Sequence, residues 1–192
     1  MKRYCLYLFI LIGISCSAEL KAQRNGTVYK GNDPAVRYTG RTLVSSDGSV
    51  AFDWVGTYLE TRFTGGRLSV KVSETGTSYY NVFVDGKLHK VVKVCGTDTL
   101  IHLVSGIDKR IHSLKIQKRS EGEFGKTTIH QFVLSGSGRL AEEPAVRTRH
   151  IEFIGNSLTC GYGTDGKHRD EPFLVETENC NLTFASMVAR YY

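Results

Sequence analysis

The sequence predicts a mainly β protein, a jelly-roll β-sandwich followed by the first βα unit of an incomplete, flavodoxin-like α/β domain. Three observations carry this. From about residue 27 to 138, apolar residues alternate with polar ones at period 2, the spacing that buries one face of an antiparallel strand. Short turn signals break that alternation at close intervals: SDG at 46–48, TGG at 64–66, DG at 85–86 and SGSG at 135–138. After residue 150 the pattern changes to a continuous apolar run, a glycine-rich loop and a helical periodicity, the order of a parallel strand leading into a helix.

Residues 1–22 have the layout of an export signal: Lys2 and Arg3 precede the apolar run YCLYLFILIGISCSA, and a cut after Ala22 follows LKA. The run falls short of the roughly 18–20 apolar residues that a membrane span needs. The mature chain is expected to be exported, to the periplasm or the medium, without a stable membrane span. Acylation of Cys16, as in a lipoprotein, is the alternative.

The sandwich is expected over 23–138. Val50, Phe52 and Trp54 alternate with Ala51 and Asp53; Leu68, Val70 and Val72 with Ser69, Lys71 and Ser73; Tyr80 and Val82 with Asn81 and Phe83; Leu114 and Ile116 precede Lys118. Asp85-Gly86 between two such runs predicts a tight hairpin, because a primed turn needs positive φ. The aromatic residues Trp54, Tyr79, Tyr80 and Phe83 are read as core in preference to a sugar-stacking platform. Residues 139–149, with Pro144 among charged neighbours, read as a linker. The second domain begins over 150–192: IEFI as its first strand, then a helix with Leu182, Ala185, Val188 and Tyr192 on one face and Asn181 as its cap. A doubly wound sheet needs several βα units, so this domain is expected to be incomplete.

Composition narrows the partners. The formal net charge is +6, but the basic residues are scattered, with Lys87, Lys90 and Lys93 along one strand and Lys167 and Arg169 around His168. Nucleic-acid binding would need a basic stripe with interleaved aromatics, so solvated faces are the better reading. No C-x-x-C or H-E-x-x-H spacing occurs and the six histidines are dispersed, so neither a metal nor a cofactor is expected. Beyond the signal the cysteines are Cys95, Cys160 and Cys180. In an oxidising compartment Cys160 and Cys180 are candidates for a disulfide, which leaves Cys95 as a small buried hydrophobe.

The stretch HIEFIGNSLTCGYG, residues 150–163, presents Ser157 at the end of the predicted strand, where open α/β sheets place their ligands. Ser157 is the candidate nucleophile, its own N–H a candidate oxyanion donor. Gly155, Asn156 and Tyr162 are candidate substrate-binding residues. Thr159 stands where a G-x-S-x-G elbow would have its last glycine. Glu178 and Asn179 are expected to order this loop or to cap the following helix.

IEFIGNSLTCGYG resembles the first block of the SGNH (GDSL-type) hydrolases, above all that of carbohydrate esterase family 2, and VRYTGRTLVSSDGSVAFDWVGTYLETRF through YYNVFVDGK resembles the sandwich that precedes it there. ENCNLTFASMVARYY resembles the segment after the nucleophile block. The resemblance implies a secreted serine esterase that removes acetyl groups from plant polysaccharides of the xylan or mannan type, with Ser157 as nucleophile. Asn156 stands where the superfamily usually has Asp. The family's D-x-x-H base does not occur within the sequence, and His89, His102, His112, His130, His150 and His168 each read more simply as structural or solvated. The expectation is an esterase fragment of low activity. A non-catalytic carbohydrate-binding sandwich with a vestigial tail is the alternative.

Overall fold

The structure, a computed structural model, describes residues 26–142 and 148–192. The predicted export signal and residues 143–147 of the predicted linker lie outside the described residues.

Among these residues nine strands follow in order: β1 (Thr27–Lys30), β2 (Val36–Thr39), β3 (Leu43–Val44), β4 (Val50–Phe52), β5 (Tyr58–Glu74), β6 (Thr77–Val84), β7 (Lys87–Cys95), β8 (Thr99–Lys118) and β9 (Thr127–Leu134). All pair antiparallel. The first half of β5 lies between β2 and the second half of β8, which in turn carries β6 and then β7. The second half of β5 lies between the first half of β8 and β9, and β9 carries β1 and β4 along its other edge, with β3 outside β4. Two layers result, and β5 and β8 each run through both. The register shifts between Thr64 and Ser69 mark where β5 turns from one layer to the other, the use sheets make of bulges and glycines at corners. This is the jelly-roll sandwich the alternation predicts, with two long strands where short ones are read.

The core lies between the layers. Phe63, Phe132, Leu68, Leu134 and Val82 are completely buried, and Leu59, Val72, Tyr80, Leu103 and Leu114 nearly so. The alternating positions of β5 and β8 supply most of it, as period-2 spacing requires. The β6–β7 hairpin turns on Asp85 and Gly86 with φ of 50° and 75°, the primed turn expected there. Edge strand β7 carries Lys87, Lys90 and Lys93; lysines on a sheet edge oppose pairing with another chain.

Several expectations change. β4 ends at Phe52, so Trp54 falls in the following turn with 57% of its surface exposed and the Arg41 guanidinium 4.9 Å from its ring. Tyr79 and Phe83 are half-buried, which leaves Tyr80 as the one fully interior member of that aromatic set. Cys95, the last residue of the edge strand, is exposed rather than buried. The IEFI segment is no strand: no described residue pairs with it, and Ile154 is 91% exposed. A parallel strand is stabilised by neighbours on both sides and helices on both faces; among the described residues no strand flanks residues 151–154, and a helix meets them only where Phe184 of α2 packs on Phe153. The helical part does form, as α1 (Ser157–Cys160) and α2 (Phe184–Tyr191). The cap of α2 is Thr183; Asn181 instead sits inside a 3-10 turn over Cys180–Leu182.

Candidate active site

The site grows from the segment that leaves the sandwich and folds back on it. At the end of β8, Arg119 is 3% exposed and extends under the loop of residues 165–179. It donates to the carbonyls of Glu178 and Glu176, at 2.9 and 3.1 Å, and pairs with the Asp165 carboxylate. Asn81 of β6 donates to Asn179 Oδ1 at 3.0 Å, and Asn179 Nδ2 donates to both oxygens of Asp165. These polar contacts replace the water that the groups lose on burial. Sequence reasoning misses Arg119, Asn81 and Asp165, because QKRS at 117–120 interrupts an apolar alternation and shows only charge.

On this base the loop 155–163 makes one tight turn. Asn156 caps α1, its side-chain oxygen accepting from Leu158 N at 3.2 Å. The Ser157 carbonyl accepts from the N–H groups of Gly161 and Tyr162, at 2.9 and 3.0 Å. The Ser157 residue is exposed, and its own N–H, at the first position of a helix, lies outside the intrahelical bonding. At Gly155 a Cβ would collide with the Thr159 side chain, so a larger residue directly before Asn156 and Ser157 requires Thr159 to shift. Tyr162 stacks on Phe173 with ring centroids 3.4 Å apart and planes 10° apart, and Phe173 leans on Phe124 of the sandwich at 5.7 Å. The stacked pair, with Gly163, His168, Arg169 and Thr177, lines a cleft of about 260 Å³. Gly155, Asn156, Ser157 and Tyr162 share this loop, but of the four only Tyr162 lines the cleft.

The predicted disulfide is not formed: Cys160 and Cys180 are both free thiols. The Cys180 Sγ donates instead to the Lys118 carbonyl at 3.3 Å. Burial pushes both thiols up, each to about 12. Glu178 is fully buried. One of its carboxylate oxygens accepts from the Glu121 N–H at 3.1 Å, and burial raises the carboxyl to about 7. Asn179 accepts from Asn181 N and so caps the 3-10 turn. Both residues thus order the loop, as the sequence suggests. Lys118 is also interior, its Nζ donating to Ser78 Oγ at 2.6 Å, and burial lowers it to about 8.

Three of the histidines are engaged elsewhere, whereas His168 lines the cleft. His102 bonds Ser69 Oγ and His130 bonds Ser73 Oγ, both at 2.8 Å. His112 lies between Asp85 and Asp108.

The chain is thus a jelly-roll sandwich that bears a loop with an exposed serine. The comparisons are more specific: the sequence profile described as Carbohydrate esterase 2 N-terminal matches residues 38–144, and the chain belongs to this family. It is 33% identical over 159 residues to the cellulase/esterase CelE of Acetivibrio thermocellus, covering 83% of this chain and 19% of that protein. To an acetylxylan esterase / glucomannan deacetylase of Cellvibrio japonicus it is 30% identical over 135 residues, covering 70% of this chain and 37% of the relative. The solved family two carbohydrate esterase from Clostridium thermocellum, in complex with cellohexaose, superposes with a TM-score of 0.77 at 33% identity, over 81% of this chain and 48% of the other. The chain spans less than half the length of each of these proteins.

Proposed function

We propose that this chain is the N-terminal part of an exported carbohydrate O-acetyl esterase that acts on acetylated plant polysaccharides of the xylan or mannan type, or on their oligosaccharides. The observation that carries the reading is Ser157 itself: an exposed serine at the start of a helix, in the same loop as Gly155 and Asn156, which caps that helix. Membership of the carbohydrate esterase 2 family and the esterase and deacetylase names of its relatives support it.

In this reading Ser157 Oγ attacks the acetyl carbonyl carbon and a histidine takes its proton. The Ser157 N–H helps to hold the tetrahedral oxyanion; a single such donor is worth roughly 3–4 kcal/mol of transition-state stabilisation. The sugar hydroxyl then leaves with the proton, and water attacks the acetyl-serine to release acetate. Of the described histidines, His102, His112 and His130 are committed to Ser69, to Asp85 and Asp108, and to Ser73.

The test joins the chain to the remainder of its reading frame and assays release of acetate from acetylated xylan and glucomannan. Hydrolysis that Ser157→Ala abolishes is expected; hydrolysis that survives the change would overturn the assignment. The exposed Trp54 favours a second reading, a non-catalytic carbohydrate-binding sandwich. It predicts that the present chain binds polysaccharide equally well with Ser157→Ala and worse with Trp54→Ala.

A further inference from the structure

The sandwich and the loop that carries Ser157 meet at a group of three potential metal ligands. Glu121 lies just past β8, Cys160 ends α1, and Glu178 belongs to the docked loop; one ligand atom from each lies within 4.8 Å of the others. Glu178 is the interior member, with no exposed surface. One of its oxygens accepts from the Glu121 N–H, whereas Oε1 is buried and has no hydrogen-bond partner. A buried, unpartnered carboxylate oxygen costs free energy unless something satisfies it. Its nearest potential ligands are a second carboxylate, that of Glu121, and the Cys160 thiol.

We propose that Glu121, Cys160 and Glu178 form a binding site for a thiophilic divalent cation of the zinc type, which fastens the Ser157-bearing turn to the sandwich. Two carboxylates and one thiolate are a donor set that zinc accepts. Metal–oxygen and metal–sulfur bonds of about 2.0–2.3 Å require the three atoms to draw in toward a common centre. Glu121 and Cys160, both half-buried, leave an approach from solvent. Binding displaces the Cys160 proton to water, and the cation then faces two carboxylates and a thiolate, with the Lys118 ammonium nearby tied to Ser78 and Ser120. Cys180 is turned to the Lys118 carbonyl, so water completes the tetrahedron. The three ligands come from positions far apart in the chain, which is why no metal-binding spacing shows in the sequence. The fold alone brings them together.

The consequence is local order. Cys160 ends the short helix that Ser157 begins, so a cation here would tether that helix directly to the segment after β8. This assignment is independent of the esterase reading and can fail without it.

The test uses the full chain, freed of metal with a chelator and titrated with Co²⁺, then with Zn²⁺ in competition. Saturation at one equivalent is expected, with a thiolate-to-cobalt charge-transfer band that Zn²⁺ abolishes. Cys160→Ser should remove the band, and Glu178→Gln and Glu121→Gln should each weaken binding by at least about 10-fold, while Cys95→Ser leaves it intact. Absence of saturable binding by the folded wild-type chain would overturn the proposal, and so would a band that survives Cys160→Ser or needs Cys95. Circular dichroism checks each variant; should Glu178→Gln fail to fold, the half-buried Glu121 decides.

Discussion

Arg119 and Asp165 form an ion pair at the seam between the sandwich and the loop that carries Ser157, with the Arg119 side chain 3% exposed and the Asp165 side chain 32% exposed. Arg119 also satisfies two backbone carbonyls of that loop. Arg119→Ala is therefore expected to leave two carbonyls without this donor and the Asp165 carboxylate without its cation, with Asn179 still bound to it. Losing one partner of a buried pair costs about 3–5 kcal/mol; because Asp165 is partly solvated, about 2–3 kcal/mol is expected. Hydrogen exchange should show the amides of residues 161–183 losing protection before those of β5 and β8. Uniform loss across both would contradict a seam-specific role.

His112 provides a pH test. Its ring bonds Asp85 at 2.7 Å and Asp108 at 3.0 Å, and the Asp85 bond raises its pKa above the usual value near 6.5. A group whose pKa is raised by folding stabilises below its unfolded pKa and loses that contribution as pH rises through the folded value. The carboxylates run the other way. The His112 bond lowers Asp85, and the Arg110 N–H, then His112, lower Asp108 to about 2; their contribution is present above about pH 4 and disappears on acidification. Urea midpoints should therefore be highest from about pH 4 to 6.5 and decline on both sides. His112→Asn should flatten the decline above that window; an unchanged alkaline limb would refute the pair's role.

Gly161 ends α1 at φ +88°, and a Cβ there would meet the Asn179 carbonyl oxygen at 2.5 Å. Gly161→Ala combines left-handed strain of roughly 1 kcal/mol with a collision against backbone that cannot turn aside. A loss of about 2–3 kcal/mol is expected, read as a lower melting temperature. A melting temperature equal to wild type would show that the loop tolerates a shift.

Phe63 sits on β5 with no exposed surface, packed against the His112 ring at 5.8 Å and bridged through its backbone to Leu140. Phe63→Ala should cost about 3–5 kcal/mol, the range for emptying a core aromatic site. Phe63→Leu should recover more than half of that.

The sandwich is legible in the sequence wherever a single face is buried. Leu68, Val70, Val72, Tyr80 and Val82 alternate because one layer covers them, and Asp85-Gly86 declares its turn because few other pairs accept its dihedrals. Trp54 deceives for the same reason: the alternation runs two residues past the end of β4, and no local signal marks where pairing stops. IEFI keeps the composition of a parallel strand, but composition does not supply neighbours. The Ser157 loop is legible from Gly155 and Asn156, whose chemistry is local. Arg119, Asp165, Asn81 and the grouping of Glu121 with Cys160 and Glu178 are not, because each depends on a contact between distant parts of the chain.

Because β5 and β8 pass through both layers, neither layer of the sandwich can come apart without breaking strands that belong to the other. Tyr58 at one end of this ladder pairs with Gln117, and Val72 at its other end with Thr99. Closing such distant pairs is slow, and once closed they oblige the sandwich to melt as a single cooperative body. Residues 148–192, attached through side chains rather than a shared ladder, are free to melt on their own terms, ahead of it.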